Sequence, residues 1–401
     1  MLTITNAGLI DGTGAPLQNN IILIIDGKRL VAVGRDIPVP GGSAVIDAKG
    51  RFVIPGLIDA HVHLGGDSGL ERVTLGGRVA TYDYAYTRET LLANGITTIR
   101  SAGDFMPDIR EVRELTKEGK MRGPRIFACG KMFQAPGGHP QYTVFGDLDA
   151  IRDNAIVLCE TPQQAAEEVK RLAALGVEFI KAIFSNVNKM HYPDRVPRLS
   201  EEILQAIADA ARSQGLPLMV HVENPTDMAL AVKIGAYSIE HAFGIGADYA
   251  EMTDDILRLL VESGVYVVPT LVAVHNTDGG IPGFPLAEAY MMDIMRKMVQ
   301  AGVKLGVGTD GSVPFVPYGQ ALHTEMKLFT EAGFSPMEAL IAATAGNAGI
   351  IGQLENLGTL EAGKYADLVV LGSNPLDDIA NTQDIKMVIQ EGRIVVDNML
   401  A

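Results

Sequence analysis

The sequence predicts an α/β protein: a (β/α)8 TIM barrel carrying a small composite β-sandwich domain formed from both chain ends. Three observations lead there. Short apolar runs alternate with amphipathic helical segments from Gly56 onward, the signature of repeated βα units. Eight such runs fit a barrel, whose usual size is about 250 residues before insertions. The segments on either side of it are rich in strands, and each is too short for a good core alone, so they are expected to pair. The expected division is 1–56 for the first part of the β-domain, 57–352 for the barrel and 353–401 for the second part.

Taken in order, Ile21–Asp26 and Leu30–Val33 are β-rich runs broken by the turn signals Asp26-Gly27 and Gly34, and Ala44–Asp47 and Phe52–Ile54 continue the pattern. The eight barrel strands are expected at Leu57–Leu64, Ile96–Ser101, Arg125–Gly130, Val177–Phe184, Leu216–Val222, Tyr237–Ala242, Val265–Leu271 and Lys304–Asp310. Helical periods lie between them, as at Pro162–Leu175, Glu201–Gln214 and Leu286–Ala301. Thr161 and Ser200 fit N-caps, and Gly176, Gly215 and Gly302 fit the position just past a helix end. Helices over Ser335–Ile351 precede a return to strands at Ala366–Leu371 and Met387–Val396, the latter turning at Glu391-Gly392.

Composition narrows the function. The 401 residues carry 33 Lys+Arg against 48 Asp+Glu, a net charge of −15, which argues against a general binder of nucleic acid or anionic membranes. A hydrophobic content of 47% excludes a disordered chain, and two cysteines, Cys129 and Cys159, exclude a disulfide framework. No apolar stretch approaches a membrane span, and the first residues lack a basic and apolar leader, so a cytoplasmic protein is expected.

Barrels place their chemistry at the C-terminal ends of the strands. There the sequence puts His61-Val-His63, whose two imidazoles share a face, then His221, His241 and Asp310. Imidazole and carboxylate suit Zn2+, with Fe, Mn or Co as alternatives. Lys181, in strand four, has two readings: an ion-paired lysine, for instance with Glu178, or an amine converted by CO2 to a carbamate able to bridge two metals.

These residues sit in motifs that resemble the metal-dependent amidohydrolase superfamily over nearly the whole length. Val53-Ile-Pro-Gly-Leu-Ile-Asp-Ala-His61-Val-His63 matches the entry motif, followed by Ser238-Ile-Glu-His241, Val268-Pro-Thr-Leu271 and Gly308-Thr-Asp310. Gly358-Thr-Leu-Glu-Ala-Gly-Lys-Tyr-Ala-Asp-Leu-Val-Val-Leu371 is similar to the family's return to the β-domain. The chain is most similar to the dipeptidase-like branch of Xaa-Pro and Xaa-basic carboxypeptidases related to imidazolonepropionase. The resemblance implies two divalent ions, zinc by default. His61, His63 and Asp310 would hold one, His221 and His241 the other, and carboxylated Lys181 would bridge them together with a hydroxide. Asp310 would act as general base and acid on an amide, that of a dipeptide or N-acyl amino acid. A small-molecule substrate and a homo-oligomer are implied.

Around this set, His139 in a Gly-Gly-His loop is a candidate for catalysis and substrate contact, and Tyr142, Tyr192 and Glu223 are candidate substrate contacts. Glu223, two residues after His221, would pair with a substrate ammonium or with a basic side chain of the protein. It departs from the family pattern, as does the loop 185–196. Arg195 and Arg198 read as solvated loop charges, His275 as a loop residue near the site, and His323 as a packing or hydrogen-bonding histidine. Asp104 reads as a cap for the next helix, and the methionines at 291, 292, 295 and 298 as core. The alternatives are a mononuclear deaminase, a hydrolase of lactones, carbamates or organophosphate esters on the same site, and a non-catalytic scaffold. Deaminases of this kind carry a Glu where Asn224 stands, and scaffolds tend to lose ligands that this chain keeps.

Overall fold

The computed structural model describes residues 1–65, 84–143, 153–187, 194–241, 251–276, 287–311 and 316–399. The N-terminal part forms β1 (Leu2–Leu9), β2 (Gln18–Asp26), β3 (Arg29–Gly34), β4 (Ala44–Asp47) and β5 (Phe52–Pro55). The parallel region contributes β6 (Leu57–Val62), β7 (Ile96–Ser101), β8 (Arg125–Ala128), β9 (Met132–Gln134), β10 (Ile156–Leu158) and β11 (Ile180–Ile183). It continues with β12 (Leu218–Val222), β13 (Ser238–His241), β14 (Tyr266–Val268) and β15 (Lys304–Leu305). The chain closes with β16 (Leu368–Leu371), β17 (Ile385–Gln390) and β18 (Arg393–Asp397).

Strands from the two chain ends share one eight-stranded sheet, ordered β18-β17-β16-β5-β1-β2-β3 with β4 added beside β1. The antiparallel ladder of β5 with β16, Val53 opposite Val370 and Pro55 opposite Leu368, is the join. That ladder joins strands of the two chain ends in one hydrogen-bonded path. Its apolar residues from both ends, among them Ile21, Leu23, Val53, Leu368, Val370 and Ile389, pack into one buried cluster.

The parallel strands fall into two sheets, β6-β7-β8 and β10-β9-β11-β12-β13-β14-β15. Backbone hydrogen bonds cross both seams between them. At one seam Ala60 N–H donates to Val307 O, and the amides of Thr309 and Asp310 both donate to His61 O. His63 N–H donates to Gly311 O. At the other, Glu178 N–H donates to Ala128 O at 2.9 Å.

The strands are shorter than the apolar runs suggest. The third run ends at Ala128, because Gly130 turns the chain at φ +69°, and pairing resumes as β9. β10 extends the sheet beside β9 and was not anticipated. The eighth run is a ladder only over Lys304–Leu305; the residues beyond it bond to β6 instead.

The helices behave as their caps require. Thr161 accepts from Gln164 N–H ahead of Pro162–Ala174, and Ser200 from Ile203 N–H ahead of Glu201–Ser213, each such cap being worth about 1 kcal/mol. Gly176 and Gly215 take positive φ just past these helices, where a side chain would be strained. Ile203, Leu204, Ile207, Ala208 and Ala211 form the buried stripe of the second helix. Met291, Met292, Met295 and Met298 are buried in the core along Ala287–Ala301. Among the described residues, no helix is long and apolar enough to cross a membrane.

Candidate metal centre

The strand ends bring the candidate ligands together. His61 and His63 leave β6, Lys181 lies in β11, His221 in β12, and His241 ends β13. The ring centroids of His61 and His241 are 4.7 Å apart, those of His221 and His241 4.3 Å, and those of His61 and His63 5.4 Å. Asp310 Oδ1 lies 3.4 Å from His61 Nε2 and 3.2 Å from His63 Nε2. Ligand atoms of His61, His241 and Asp310 all fall within 4.8 Å of one another, a grouping able to hold a cation.

The backbone is bent to achieve this. His241 (φ 73°), Thr270 (φ 54°) and Asp310 (φ 57°) all adopt left-handed conformations that L side chains rarely take. Such strain collects where function fixes a side chain's direction. Gly308 permits close approach at the same seam: a Cβ there would lie 2.8 Å from His61 Cβ and 2.9 Å from its amide nitrogen.

Each of the four imidazoles uses one ring nitrogen on a protein partner. His61 Nδ1 donates to Glu240 Oε2 at 2.6 Å, and His63 Nδ1 to the Gly103 carbonyl at 2.6 Å. His241 Nδ1 meets Thr270 Oγ1 at 2.8 Å, and His221 Nε2 donates to Glu223 Oε1 at 2.7 Å. Carboxylates and carbonyls only accept, so in a neutral ring the lone pair is left on the other nitrogen. That nitrogen is Nε2 for His61 and His63, and Nδ1 for His221. Burial holds the His61 and His241 rings below the usual imidazole range, helped by the charges of Lys181 and His221 respectively, and the neutral ring is the ligand form.

Lys181 tests whether these residues suit metals. Its side chain is buried, and Nζ has no hydrogen-bond partner among the described residues; His61 Nε2 is in the same position. The ion pair with Glu178 does not form. Glu178 accepts instead from Arg113 Nη1 at 2.8 Å and from Ala128 N–H, which ties it to the seam. An isolated buried ammonium is costly. Burial brings the Lys181 amine down to about 8, which leaves a neutral, nucleophilic fraction near physiological pH. Around it Asp104, Glu223, Glu240 and Asp310 are buried carboxyl groups, and Arg100 is a buried cation paired with Glu240. A donor set of imidazoles and surplus carboxylates fits divalent cations.

The remaining candidates separate. His139 is buried, its ring 5.0 Å from that of His221, with Nδ1 2.5 Å from Thr143 Oγ1. Tyr142 is 56% exposed, and Tyr192 and His191 lie outside the described residues. Glu223 is buried against His221 and reaches Ser185 Oγ at 3.5 Å. Of the loop 185–196, residues 188–193 lie outside the described set.

Arg198 is a partnered cation, not a solvated one: it makes a two-oxygen ion pair with Asp227 and stacks over Phe184. Arg195 reaches Asn186 Oδ1 at 3.5 Å. His275 Nδ1 pairs with Glu288 at 2.5 Å. Asp104 does not cap the helix Asp108–Lys117, whose N-cap is Pro107. It accepts from the amides of Leu64 and Gly65 and from Ser101 Oγ, pinning the chain as it leaves the His61–His63 segment.

Several residues that shape the centre were not singled out from the sequence. Arg100 and Glu240 are fully buried and paired at 2.9 Å. The signal was available: an arginine inside the apolar run Ile96–Ser101 demands a buried partner. Thr270 gives no such signal. It is placed by Glu325, whose carboxylate accepts from the amides of Leu271 and Val272 and which burial pushes up to about 8.

Comparison with known proteins agrees with this geometry. Residues 52–395 match the Amidohydrolase family. The chain is 28% identical to an ochratoxinase from Aspergillus niger, over 96% of the chain and 84% of that protein. It is 27% identical to an imidazolonepropionase from Symbiobacterium thermophilum, over 92% and 88%. A solved Xaa-Pro dipeptidase with methionine bound in its active site superposes with a TM-score of 0.81 at 27% identity, over 98% of this chain and 99% of that one. The chain belongs to the amidohydrolase family and is a hydrolytic enzyme.

Proposed function

We propose that this enzyme is a binuclear metal-dependent hydrolase that cleaves an amide bond of a dipeptide or N-acyl amino acid. The observation that carries the proposal is Lys181: a buried amine without a hydrogen-bond partner among the described residues, set among four histidines and Asp310. As a carbamate it would supply two anionic oxygens to two cations. His61, His63 and Asp310 would hold one, and His221 and His241 the other. The names of the relatives, an ochratoxinase and a Xaa-Pro dipeptidase, favour an amide substrate. A closed barrel is proposed on the hydrogen bonds crossing both seams, with domain limits at 56/57 and 352/353. A homo-oligomer in the cytoplasm, with zinc as the metal, belongs to the same proposal.

When bound, a pair of divalent ions would acidify a water and polarise the scissile carbonyl. Asp310 takes the proton of the attacking water and returns it to the leaving amine, which departs neutral. Its carboxylate is suited to this: burial opposes its ionisation, but its imidazole neighbours hold it well below the usual range. His139, fixed by Thr143 beside His221, orients the substrate carbonyl or carboxylate.

The deaminase alternative meets a specific obstacle. Asn224, where a proton shuttle would stand, is occupied as the N-cap of Pro225–Ile234, accepting from Asp227 N–H at 2.8 Å.

The test is metal analysis with 13C NMR of protein equilibrated with labelled bicarbonate, followed by a screen of dipeptides and N-acyl amino acids. About two metal ions per chain, a carbamate resonance lost in Lys181→Gln, and amide turnover are expected. About one ion with unmodified Lys181 would replace this reading by the deaminase, and turnover of esters alone by the ester hydrolase.

A further inference from the structure

The least expected group beneath the centre is Arg100, a fully buried guanidinium in β7. Its hydrogen bonds converge on the segment that carries His61 and on Glu240. Nε donates to Ala60 O at 2.5 Å, one residue before His61. Nη1 donates to Ser238 Oγ at 2.9 Å, and Nη2 reaches Glu240 Oε1 at 2.9 Å and Oε2 at 3.0 Å. Ser238 Oγ in turn donates to Glu240 Oε1 at 2.5 Å. The carboxylate held in this way has its other face on His61 Nδ1 at 2.6 Å, and all of these side chains are buried.

We propose that Glu240, locked by Arg100 and Ser238, is a positioning residue that fixes His61 with Nδ1–H turned into the protein and Nε2 presented to a cation. The proposal rests on the metal-centre reading above. The argument is one of donors and acceptors. Glu240 faces a guanidinium, a hydroxyl and an imidazole, so it accepts at every contact. That forces the proton of a neutral His61 onto Nδ1. A flipped ring would leave the Glu240 carboxylate short of a donor. An ionised partner on the distal nitrogen also raises the basicity of the ligating one, and losing such a partner typically costs 10–100-fold in metal affinity.

The experiment is a chelator-competition titration of zinc into metal-stripped wild type, Glu240→Gln and Ser238→Ala, with apo stability measured by thermal denaturation. In the Gln variant the amide group confronts Arg100 and His61 with a mixture of donor and acceptor. Zinc affinity is expected to fall 10–100-fold. Ser238→Ala keeps the charge on His61 and is expected to stay within about threefold of wild type, although it too removes a buried hydrogen bond. A purely structural role would instead move apo stability in both variants and leave affinity alike. A Gln variant less than tenfold weaker overturns the proposal. So does a crystal structure of zinc-loaded wild type with the ion on His61 Nδ1, a measurement that stands even if the Gln variant fails to fold. Wild type that binds no zinc removes the underlying metal reading instead, and with it this proposal.

Discussion

Asn347 is the side chain on which the seam beside the centre depends most directly. It is fully buried, its Nδ2 donates to Ile58 O at 2.6 Å and to Val307 O at 2.7 Å, and its Oδ1 accepts from Val307 N–H at 3.1 Å. One amide thus bridges β6 and the segment leading to Asp310. In Asn347→Ala, Val307 O keeps the bond from Ala60 N–H, but Val307 N–H and Ile58 O lose this partner. At about 1–3 kcal/mol per stranded buried group, the loss is about 2–6 kcal/mol. That is a large share of the 5–15 kcal/mol typical of a folded domain. Asn347→Asp keeps the acceptor but turns a carboxylate oxygen toward two carbonyls, so it is expected to be worse than Ala despite its closer shape. Guanidinium unfolding of the metal-stripped proteins measures both. A loss under about 1 kcal/mol for Ala, or Asp more stable than Ala, would refute the reasoning.

Two further outcomes follow from single groups. His323 joins the helix Gln320–Glu331 to Thr382 and to Asn94 O, and burial lowers its imidazole to about 4. Since the unfolded ring takes its proton near 6.5 and the folded ring resists it, this contribution is complete above pH 6.5 and is lost as pH falls toward 4. The full span amounts to about 3 kcal/mol. Wild type and His323→Gln, unfolded in denaturant at pH 7.5 and 4.5, should converge at the lower pH; parallel losses would contradict this. On the proposed mechanism Asp310→Asn would remove the proton carrier and weaken a metal ligand, so kcat is expected to fall at least about 100-fold even with saturating metal. Full recovery of kcat on adding metal would reduce Asp310 to a ligand alone.

The sequence was legible where chemistry repeats along one strand and opaque where it depends on residues distant in the chain. His61 and His63 could be read together because residues two apart share a strand face, and Asp310 because it ends an apolar run. Strand lengths were overestimated for a physical reason. Apolar runs continue through segments that no longer ladder, as at Val307, where burial persists while pairing has passed to β6. The Lys181–Glu178 pair failed because Glu178 lies ahead of β11, where Arg113 from a neighbouring helix and the Ala128 amide take its carboxylate. Asp104 was read as a local cap because Gly103-Asp104 stands just before a helix; its true partners, Leu64 and Gly65, are 40 and 39 residues away.

The same distinction explains how the centre is built. The strands supply the imidazoles, but the direction of each ring is set by a different element: Glu240 of β13 for His61, the Gly103 carbonyl after β7 for His63, and Thr270 after β14 for His241. Only His221 takes its partner, Glu223, from its own chain segment. Two rings are backed by carboxylates and two by neutral groups. On the proposed division of ligands, His61 with His63 and His221 with His241, each cation would receive one imidazole of each kind. The carboxylate-backed ring is the stronger donor in each pair, because an anion on the distal nitrogen raises the basicity of the other. The buried carboxylates that back these rings are therefore the feature that would bind the metals tightly. Arg100 offsets their charge under His61, where burial is complete and an uncompensated anion would cost most.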